Sequence, residues 1–484
     1  MIEKLPINTP IYTNTNNINN SVFSIKQIDC YLEKIGNDFV LNKRPGLRKF
    51  ASLGFDDKPI QGLYVWEENN NYLYVVCDGF LFEIQDDKAD TIVNLGQVLE
   101  SDTSNRPTFA SDDKGNLFIA NGGQIIKYNG SSAPSAIAEP APQEVTHVAW
   151  VDGYVIANKS GTGRFYWSAV NDPDTWNALW FANAEANPDP LTAIKIVNNE
   201  IHLIGPRSIE IWYNAGDTGA VPFRRYQGAF VEHGCIAPYT ALHVNSVLYF
   251  FDQHRNLIRM NGRTPEILSE PVALELNRLN QVFDAMLDYI NVSGKEFILL
   301  TFPTEDKTFV YDLSQNIWQG NWCFWNENTA EYSRFLLNCY VYSKKWNYRL
   351  VGDRTSGTIY LLSSREYTDN NNVIRSLRQT GWIDWEKRNH KRTRQLTFKV
   401  SRGGDERAKN ITQVPQIQLQ YRDSGMPDFT PEIWANLGEN DDYYFYLDIY
   451  NLGIYKSRQY QIIHSEKSSF NLAWVMEDFD ILKR

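Results

Sequence analysis

The sequence lacks the marks of a membrane protein, a metalloprotein or a disulfide-linked protein. No apolar run approaches the roughly 20 residues of a membrane-spanning helix, and residues 1–6 hold no signal-peptide core. The five cysteines are odd in number and widely spaced, and neither a Cys-x-x-Cys pair nor a His-Glu-x-x-His motif occurs. We therefore expect reduced core thiols, no metal or other cofactor, no membrane anchor, and synthesis in a cytoplasm.

Aromatic and apolar residues are abundant by contrast. The 484 residues are 43% hydrophobic, enough for a sizeable core in two or three domains. The 14% aromatic content, with 27 Tyr and 14 Trp, suits pleated surfaces better than helical bundles. The net charge of -11 argues against a surface that wraps DNA tightly, because such binding needs many Lys and Arg against the phosphates. It does not argue against a wall past which DNA slides.

A strand-turn-strand unit recurs along the chain. In Tyr72–Glu83 the apolar alternation breaks at Asp78-Gly79 and resumes, which predicts two short strands around a tight turn. One hairpin does not bury its own apolar face, so a series of them must close on one another. The spacing of about 40 to 50 residues is typical of four-stranded blades and predicts an all-β fold, a β-propeller with six or seven blades. Further copies lie at Leu117–Tyr128, Tyr154–Trp167, Ile201–Trp212, Leu248–Met260, Glu296–Tyr311 and Asn347–Leu361.

This pattern divides the chain into three regions. Residues 1–60 are predicted to form an extended N-terminal arm that crosses or closes other elements, with a polar tract at Asn14–Asn20. Residues 61–370 are predicted to form the β-propeller, with one helix over Pro271–Leu287, where apolar residues share a helical stripe. Residues 371–484 are predicted to form a C-terminal β-sandwich-like domain, because their strands alternate with a period of two.

The C-terminal region opens with a basic segment. Residues 374–411 hold eleven Lys or Arg and four Asp or Glu, and Glu386–Arg394 is the densest run. One interpretation is a solvated, salt-bridged edge strand. The other is an electrostatic dock against an acidic partner or nucleic acid. Under the second interpretation five cations form the candidate assembly interface: Lys387, Arg388, Lys391, Arg392 and Arg394.

Other motifs raise the question of carbohydrate chemistry. Ser111–Phe118 matches the Ser-x-Asp-x-Gly-x-x-Phe turn of sialidase propellers, the Asp box, and Asp252–Ile258 and Asp353–Tyr360 are looser copies. A structural role is favoured, since the carboxylate satisfies backbone donors and Gly tolerates positive φ. Nothing singles out a carboxylate pair for glycoside hydrolysis, and His202 is interpreted as a core or rim residue. We predict no catalytic residues; a propeller glycosidase or carbohydrate-binding protein is the alternative.

Several segments resemble one known family in their order along the chain. These segments are Arg44–Leu47, Glu210–Gly216, Pro222–Cys235, Asn256–Gly262, Ile267–Ser269, Val310–Trp318, Gln418–Gly425 and Leu452–Ile462. The set is similar to the tail hub or packaged DNA stabilisation proteins of short-tailed phages, the P22-like nozzle family. The resemblance spans nearly the whole sequence.

The resemblance implies a structural virion protein rather than an enzyme. Family members are propeller proteins with an added β-domain, assembled as a homohexameric ring below the portal and its adaptor ring. Such a nozzle or hub closes the portal channel, retains packaged DNA, gates its ejection and attaches tail fibres, spikes or a needle. We accordingly expect a virion tail protein made in the host cytoplasm, with double-stranded DNA in transient passage. Residues 371–484 would then serve ring assembly or adaptor docking. A third possible function, beside the nozzle and the carbohydrate-active propeller, is an adhesin domain that recognises a receptor through aromatic loops.

Overall fold

The computed structural model describes residues 1–10, 25–99, 106–184, 187, 189–217, 221–401, 414–438 and 445–482. Within these ranges mostly antiparallel strands form seven propeller blades, the two sheets of a sandwich and one separate hairpin, which confirms the predicted all-β propeller. The polar tract at Asn14–Asn20 lies outside the described residues. The helices of the described part are single turns, at Pro6–Asn8, Glu270–Val272 and Ala273–Asn277.

Six blades are consecutive four-stranded meanders that run from the inner to the outer strand. Blade 1 consists of Ile60–Trp66, Tyr72–Cys77, Phe80–Ile84 and Ile92–Gln97. Blade 2 consists of Thr108–Ser111, Leu117–Ala120, Ile126–Tyr128 and Ser135–Ala136. Blade 3 consists of Val148–Val151, Tyr154–Asn158, Arg164–Ala169 and Asp172–Asn183. Blade 4 consists of Ala193–Val197, Glu200–Ile204, Ile209–Asn214 and Phe223–Val231. Blade 5 consists of Leu242–Val244, Val247–Phe251, Leu257–Asn261 and Thr264–Ile267. Blade 6 consists of Met286–Val292, Lys295–Phe302, Lys307–Asp312 and Ile317–Asn321.

Tight turns set the register of these blades. Asp78 and Gly79 have φ angles of 48° and 77°, and a two-residue hairpin turn of type I′ needs positive φ at both positions. Asp152-Gly153 in blade 3 and Ser293-Gly294 in blade 6 show the same pair of positive φ angles. Asp, Asn and Gly reach this conformation at the least cost, so the sequence places them between the strands. The predicted hairpin around Asp78-Gly79 is confirmed.

The inner strands of the seven blades surround a common axis. Each contacts the inner strand of the next blade, and that of blade 7 contacts that of blade 1, so the ring is closed. Blade 7 takes three strands from the end of the propeller region and its fourth, Gly46–Ser52, from near the N-terminus. Two short strands, Thr368–Asp369 and Asn372–Val373, extend it. The first three strands of blade 7 are Leu337–Ser343, Tyr348–Asp353 and Thr358–Ser363.

The C-terminal domain is a sandwich of two sheets, which we call the joining sheet and the outer sheet. The joining sheet continues from the fourth strand of blade 6 with Lys26–Ile28, Ser376–Gln379, Arg458–His464, Gln416–Asp423 and Ile433–Asn436. The outer sheet runs in the order Cys30–Ile35, Asp38–Lys43, Asn471–Ile481, Lys391–Ser401 and Phe445–Tyr455, with Ile2–Lys4 also paired to its third strand. Between them lies one apolar core, to which Phe398 and Val475 of the outer sheet and Leu419 and Ile462 of the joining sheet contribute.

Residues 1–60, predicted as an arm that crosses or closes other elements, supply strands to the joining sheet, the outer sheet and blade 7. The helix predicted over Pro271–Leu287 is wrong beyond Asn277, because Met286–Val292 is the inner strand of blade 6. Its pairing with Lys295–Phe302 overrides the local helical pattern. A hairpin of Cys323–Asn326 and Glu331–Arg334 leads from blade 6 to blade 7.

Buried histidines give the propeller a predictable pH response. His147 is 2% exposed, and burial lowers its pKa to about 3. The unfolded chain therefore binds a proton below pH 6.5 that the folded chain does not, so stability falls as the pH drops. We expect the loss of stability between pH 7.5 and 5.5 to shrink by about 1 kcal/mol in His147→Gln. Urea denaturation at both pH values tests this, with the exposed His390→Gln expected to keep the full loss.

Candidate functional site

The five predicted interface cations lie at one end of the outer sheet, in the turn before Lys391–Ser401 and on that strand. Lys387, Arg388 and Arg392 are exposed, and none of them forms an ion pair within the described part of the chain. Arg394 is also exposed, but it donates to Asp478 at 2.8 Å and lies 3.5 Å from Asp480. These contacts make Arg394 a member of a surface ion-pair group, as in a salt-bridged strand.

Lys391 is buried rather than displayed. Its Nζ donates to the backbone oxygens of Lys387, Asn389 and Lys456 at 2.7, 3.0 and 2.8 Å. Burial lowers the pKa of this ammonium group. Lys391 therefore holds the turn in place and presents no charge to a partner. Among the described residues, the predicted set divides into three cations without an ion pair, one paired cation and one structural lysine.

The different environments of Lys391 and Arg392 predict different losses of stability when each is replaced by Ser. Lys391→Ser leaves three carbonyl oxygens without their donor, and we expect it to lower the free energy of unfolding by about 1 to 3 kcal/mol. Arg392→Ser, one residue further along the same strand, is expected to change it by less than about 0.5 kcal/mol. Urea denaturation of the two variants measures the difference. Equal midpoints for both would contradict the structural role of Lys391.

An exposed aromatic edge lies beside these cations and was not found from the sequence. Phe445–Tyr455 is the edge strand of the outer sheet, and Tyr446, Tyr450 and Ile454 on it are 56%, 58% and 47% exposed. Ile454 lies opposite Arg392 in the strand register. The signal was present, since Leu447 and Ile449 occupy the alternate, buried positions and leave the tyrosines outward.

This combination is typical of a protein contact surface. A long edge strand with exposed apolar side chains is a template for pairing with another chain unless it is covered. Tyr and Arg are enriched in the centre of interfaces, whereas Lys is depleted. We call the set Tyr446, Tyr450, Ile454 and Arg392, with Lys387 and Arg388 at its rim, the outer-sheet edge surface.

Comparison with known proteins identifies the family. A family model described as Bacteriophage P22 Gp10, beta-propeller, matches residues 31–367, more than half of the chain. The chain belongs to the P22 Gp10 β-propeller family. It is therefore a phage structural protein, and a component of a virion. The resemblance seen in the ordered sequence segments is confirmed at the level of this family.

Solved structures resemble this Gp10-family chain at low sequence identity. YCF48 from Cyanidioschyzon merolae has a TM-score of 0.39 and 11% identity over 66% of this chain and 99% of its own. The extracellular domain of the putative one component system BT4673 from B. thetaiotaomicron has a TM-score of 0.43 and 8% identity over 87% of this chain and 62% of its own. The AfRom2 CNH domain has a TM-score of 0.39 and 10% identity over 66% of this chain and 98% of its own. No curated protein matches the sequence.

The Asp boxes of this Gp10-family chain stabilise their own turns through hydrogen bonds from backbone N–H groups to the Asp carboxylate. Asp112 Oδ1 accepts the backbone N–H groups of Lys114 and Asn116 at 3.0 and 2.8 Å. Asp252 Oδ1 accepts those of His254 and Asn256, both at 2.8 Å. Each carboxylate is buried and directed at its own loop. The structural interpretation of these motifs is confirmed by this geometry.

Other predicted features can be placed as well. All five cysteines are free, and all except Cys323 are buried. His202 is buried in blade 4, where burial lowers its pKa to about 4, so it is a core residue. Among the described residues no group of three or more His, Cys, Asp or Glu is arranged to hold a metal ion. No helix of the described part is long and apolar enough to cross a membrane.

Proposed function

We propose that this Gp10-family chain is a tail nozzle or hub subunit. Six copies form a ring below the portal and its adaptor ring, close the channel, retain the packaged DNA and gate its ejection. The same ring provides attachment for tail fibres, spikes or a needle. The observation that carries the proposal is the match to the P22 Gp10 propeller family over residues 31–367.

The joint between the two domains suits a subunit that must resist internal pressure. Lys26–Ile28 pairs in parallel with blade 6 and antiparallel with Ser376–Gln379, so a single sheet runs from propeller to sandwich. Backbone hydrogen bonds across this joint resist hinge motion better than a flexible linker does. In such a stiff subunit, the position of the sandwich in the ring also fixes the position of the propeller. This favours a channel gate that stays closed as long as the ring is assembled.

The outer-sheet edge surface is the contact that we assign to assembly. Its tyrosines and Ile454 offer apolar area, and the three exposed cations beside them offer attraction to an acidic neighbour or adaptor. The chain itself carries a net charge of -11, so a second copy is an acidic partner. Of the five cations predicted as the interface, Lys387, Arg388 and Arg392 fit this role. Lys391 and Arg394 stay in the proposal only as supports of the strand.

Electron microscopy of the chain mixed with its portal and adaptor proteins tests the function. We expect sixfold rings stacked on the adaptor. A chain that stays monomeric and joins no tail particle would contradict the proposal. Tyr446→Ser with Tyr450→Ser is expected to abolish ring incorporation, whereas Tyr342→Ser on blade 7, also exposed, is the matched control.

The salt dependence of ring incorporation distinguishes the cations of the outer-sheet edge surface from its tyrosines. Lys387→Ser, Arg388→Ser and Arg392→Ser together are expected to slow incorporation at low salt and to have little effect above about 0.5 M salt, because exposed charges are screened there. The tyrosine pair is expected to act at both concentrations, because burial of apolar area is not screened. Incorporation unchanged in the triple variant at low salt would remove the cations from the interface.

A further inference from the structure

A cavity of about 490 Å³ lies on the propeller axis. The inner strands of blades 1 to 6 line it, so it belongs to the ring as a whole and not to one blade. Its wall carries the aromatic rings of Tyr64, Phe109 and Trp150. Tyr64 and Phe109 stack with 5.3 Å between ring centroids. The volume suits a small molecule with a flat apolar part.

The charged groups on the wall are unbalanced. Asp288 is the carboxylate among the lining residues, and its two oxygens accept Arg106 Nη1 and Nη2 at 3.2 and 2.8 Å. Lys195 also lines the cavity, and it has neither a hydrogen bond nor an ion pair with any described residue. His147 adds no charge at neutral pH, since burial lowers its pKa to about 3. Among the described lining residues, one positive charge therefore remains without a counter-charge.

Lys195 lies in an environment that disfavours its charge. Burial lowers the pKa of its ammonium group, and the neighbouring Arg106 guanidinium lowers it further. Lys195 and Arg106 are both partly buried on this wall. A cation without a counter-charge in such surroundings is costly, and an anion bound beside Lys195 and Arg106 would reduce that cost.

We infer that the axial cavity binds a small oxyanion, a phosphate or carboxylate group on an organic molecule, through Lys195 and Arg106. The aromatic rings of the wall hold the body of the ligand. Asp288 fixes the Arg106 guanidinium on the cavity wall, and Lys195 lines the same volume, so the anion meets a preformed site. This site is separate from the outer-sheet edge surface and does not depend on ring assembly.

Isothermal titration calorimetry of the full chain tests the inference with phenyl phosphate, inorganic phosphate and phenol. We expect phenyl phosphate to bind, inorganic phosphate to compete with it, and phenol to bind more weakly than either. Lys195→Gln is expected to weaken phenyl phosphate binding by at least about tenfold, the loss of one charge-assisted hydrogen bond. Lys195→Arg, which keeps the charge, and the exposed Lys307→Gln should retain most of the affinity.

The contrary results are equally definite. No binding of either phosphate, or equal affinity in Lys195→Gln and the unaltered chain, would overturn the site. Phenol binding as tightly as phenyl phosphate would also overturn it, because the cavity would then be an apolar pocket. Arg106→Gln combined with Asp288→Asn keeps the cavity's charge balance. It is expected to weaken phosphate binding without leaving a buried carboxylate alone, so it tests the site even where Lys195→Gln fails to fold.

Discussion

Arg44→Met is expected to lower the free energy of unfolding by about 3 to 5 kcal/mol, enough to leave little soluble protein. Arg44 is 1% exposed, and its Nε donates to Asp29 Oδ1 at 2.6 Å. Nη1 and Nη2 donate to the two oxygens of Asp369 at 3.0 and 2.5 Å. The remaining donors reach the backbone oxygens of Pro45 and Cys323 at 2.9 and 2.7 Å. All five guanidinium donors are used, and both carboxylates are buried.

The large effect comes from what the substitution leaves behind. Without Arg44, Asp29 and Asp369 face each other as buried carboxylates with no cation between them. Burial already raises the pKa of Asp29 to about 6, against the lowering influence of Arg44. In the variant this pKa rises further, so protonation relieves the cost at acid pH. We therefore expect the destabilisation of Arg44→Met to be larger at pH 8 than at pH 5.

Thermal unfolding of purified variants measures this effect. Arg48→Met is the matched control, because Arg48 lies on the strand that follows Arg44 and its side chain is 56% exposed. It should stay within about 0.5 kcal/mol of the unaltered chain. Asp29→Asn and Asp369→Asn added to Arg44→Met remove the buried charges and should recover part of the loss. An Arg44→Met chain as stable as Arg48→Met would show that the buried ion triad contributes nothing.

The same residues explain how far the sequence predicts this fold. Arg44–Leu47 is one of the segments that carry the family resemblance, and the structure gives the physical reason for it. A Cβ added to Gly46 would lie 2.5 Å from the backbone oxygen of Thr368, so only glycine fits there. The triad partners of Arg44 come from positions far apart in the chain, and local patterns carry no record of such distances.

Local alternation predicted the blades well, because two-residue periodicity and Asp-Gly turns are properties of neighbouring residues. Local alternation did not predict which distant strands pair with one another. Nothing in Gly46–Ser52 indicates that it pairs with Thr358–Ser363, or that residues 1–60 divide between two domains. The basic run does not distinguish its own members either, since a lysine that caps carbonyl groups and a lysine in solvent look alike in sequence. Lys391 and Arg392 differ in the direction that the strand's pleat gives them.

A chain that begins at Asp57 is expected not to fold. It lacks Gly46–Ser52, so the outer edge of Thr358–Ser363 loses its pairing partner and blade 7 remains one strand short. It also lacks the strands that residues 26–43 give to the two sheets of the sandwich. The missing strand is not a passive cover, because Leu47 is fully buried with Val351 and Leu362.

Point variants separate ring closure from the sandwich. Leu47→Asp places a carboxylate in the core between blades 6 and 7, and we expect a loss above about 4 kcal/mol and insoluble protein. Lys49→Asp, on the exposed side of the same strand, reverses a charge in solvent and should leave the fold intact. Solubility and thermal unfolding distinguish the two. Similar behaviour of both variants would mean that this strand does not close the ring.

Supplying the strand separately is the decisive version of this test. The cut before Asp57 falls in an exposed loop, so residues 1–56 and 57–484 made together in one cell should associate and remain soluble. Either fragment alone should not. Association is expected to fail when the short fragment carries Leu47→Asp and to succeed when it carries Lys49→Asp. A long fragment that is soluble and unfolds cooperatively by itself would show that six complete blades and three strands suffice. Ring closure would then rest on contacts between the inner strands rather than on the N-terminal strand.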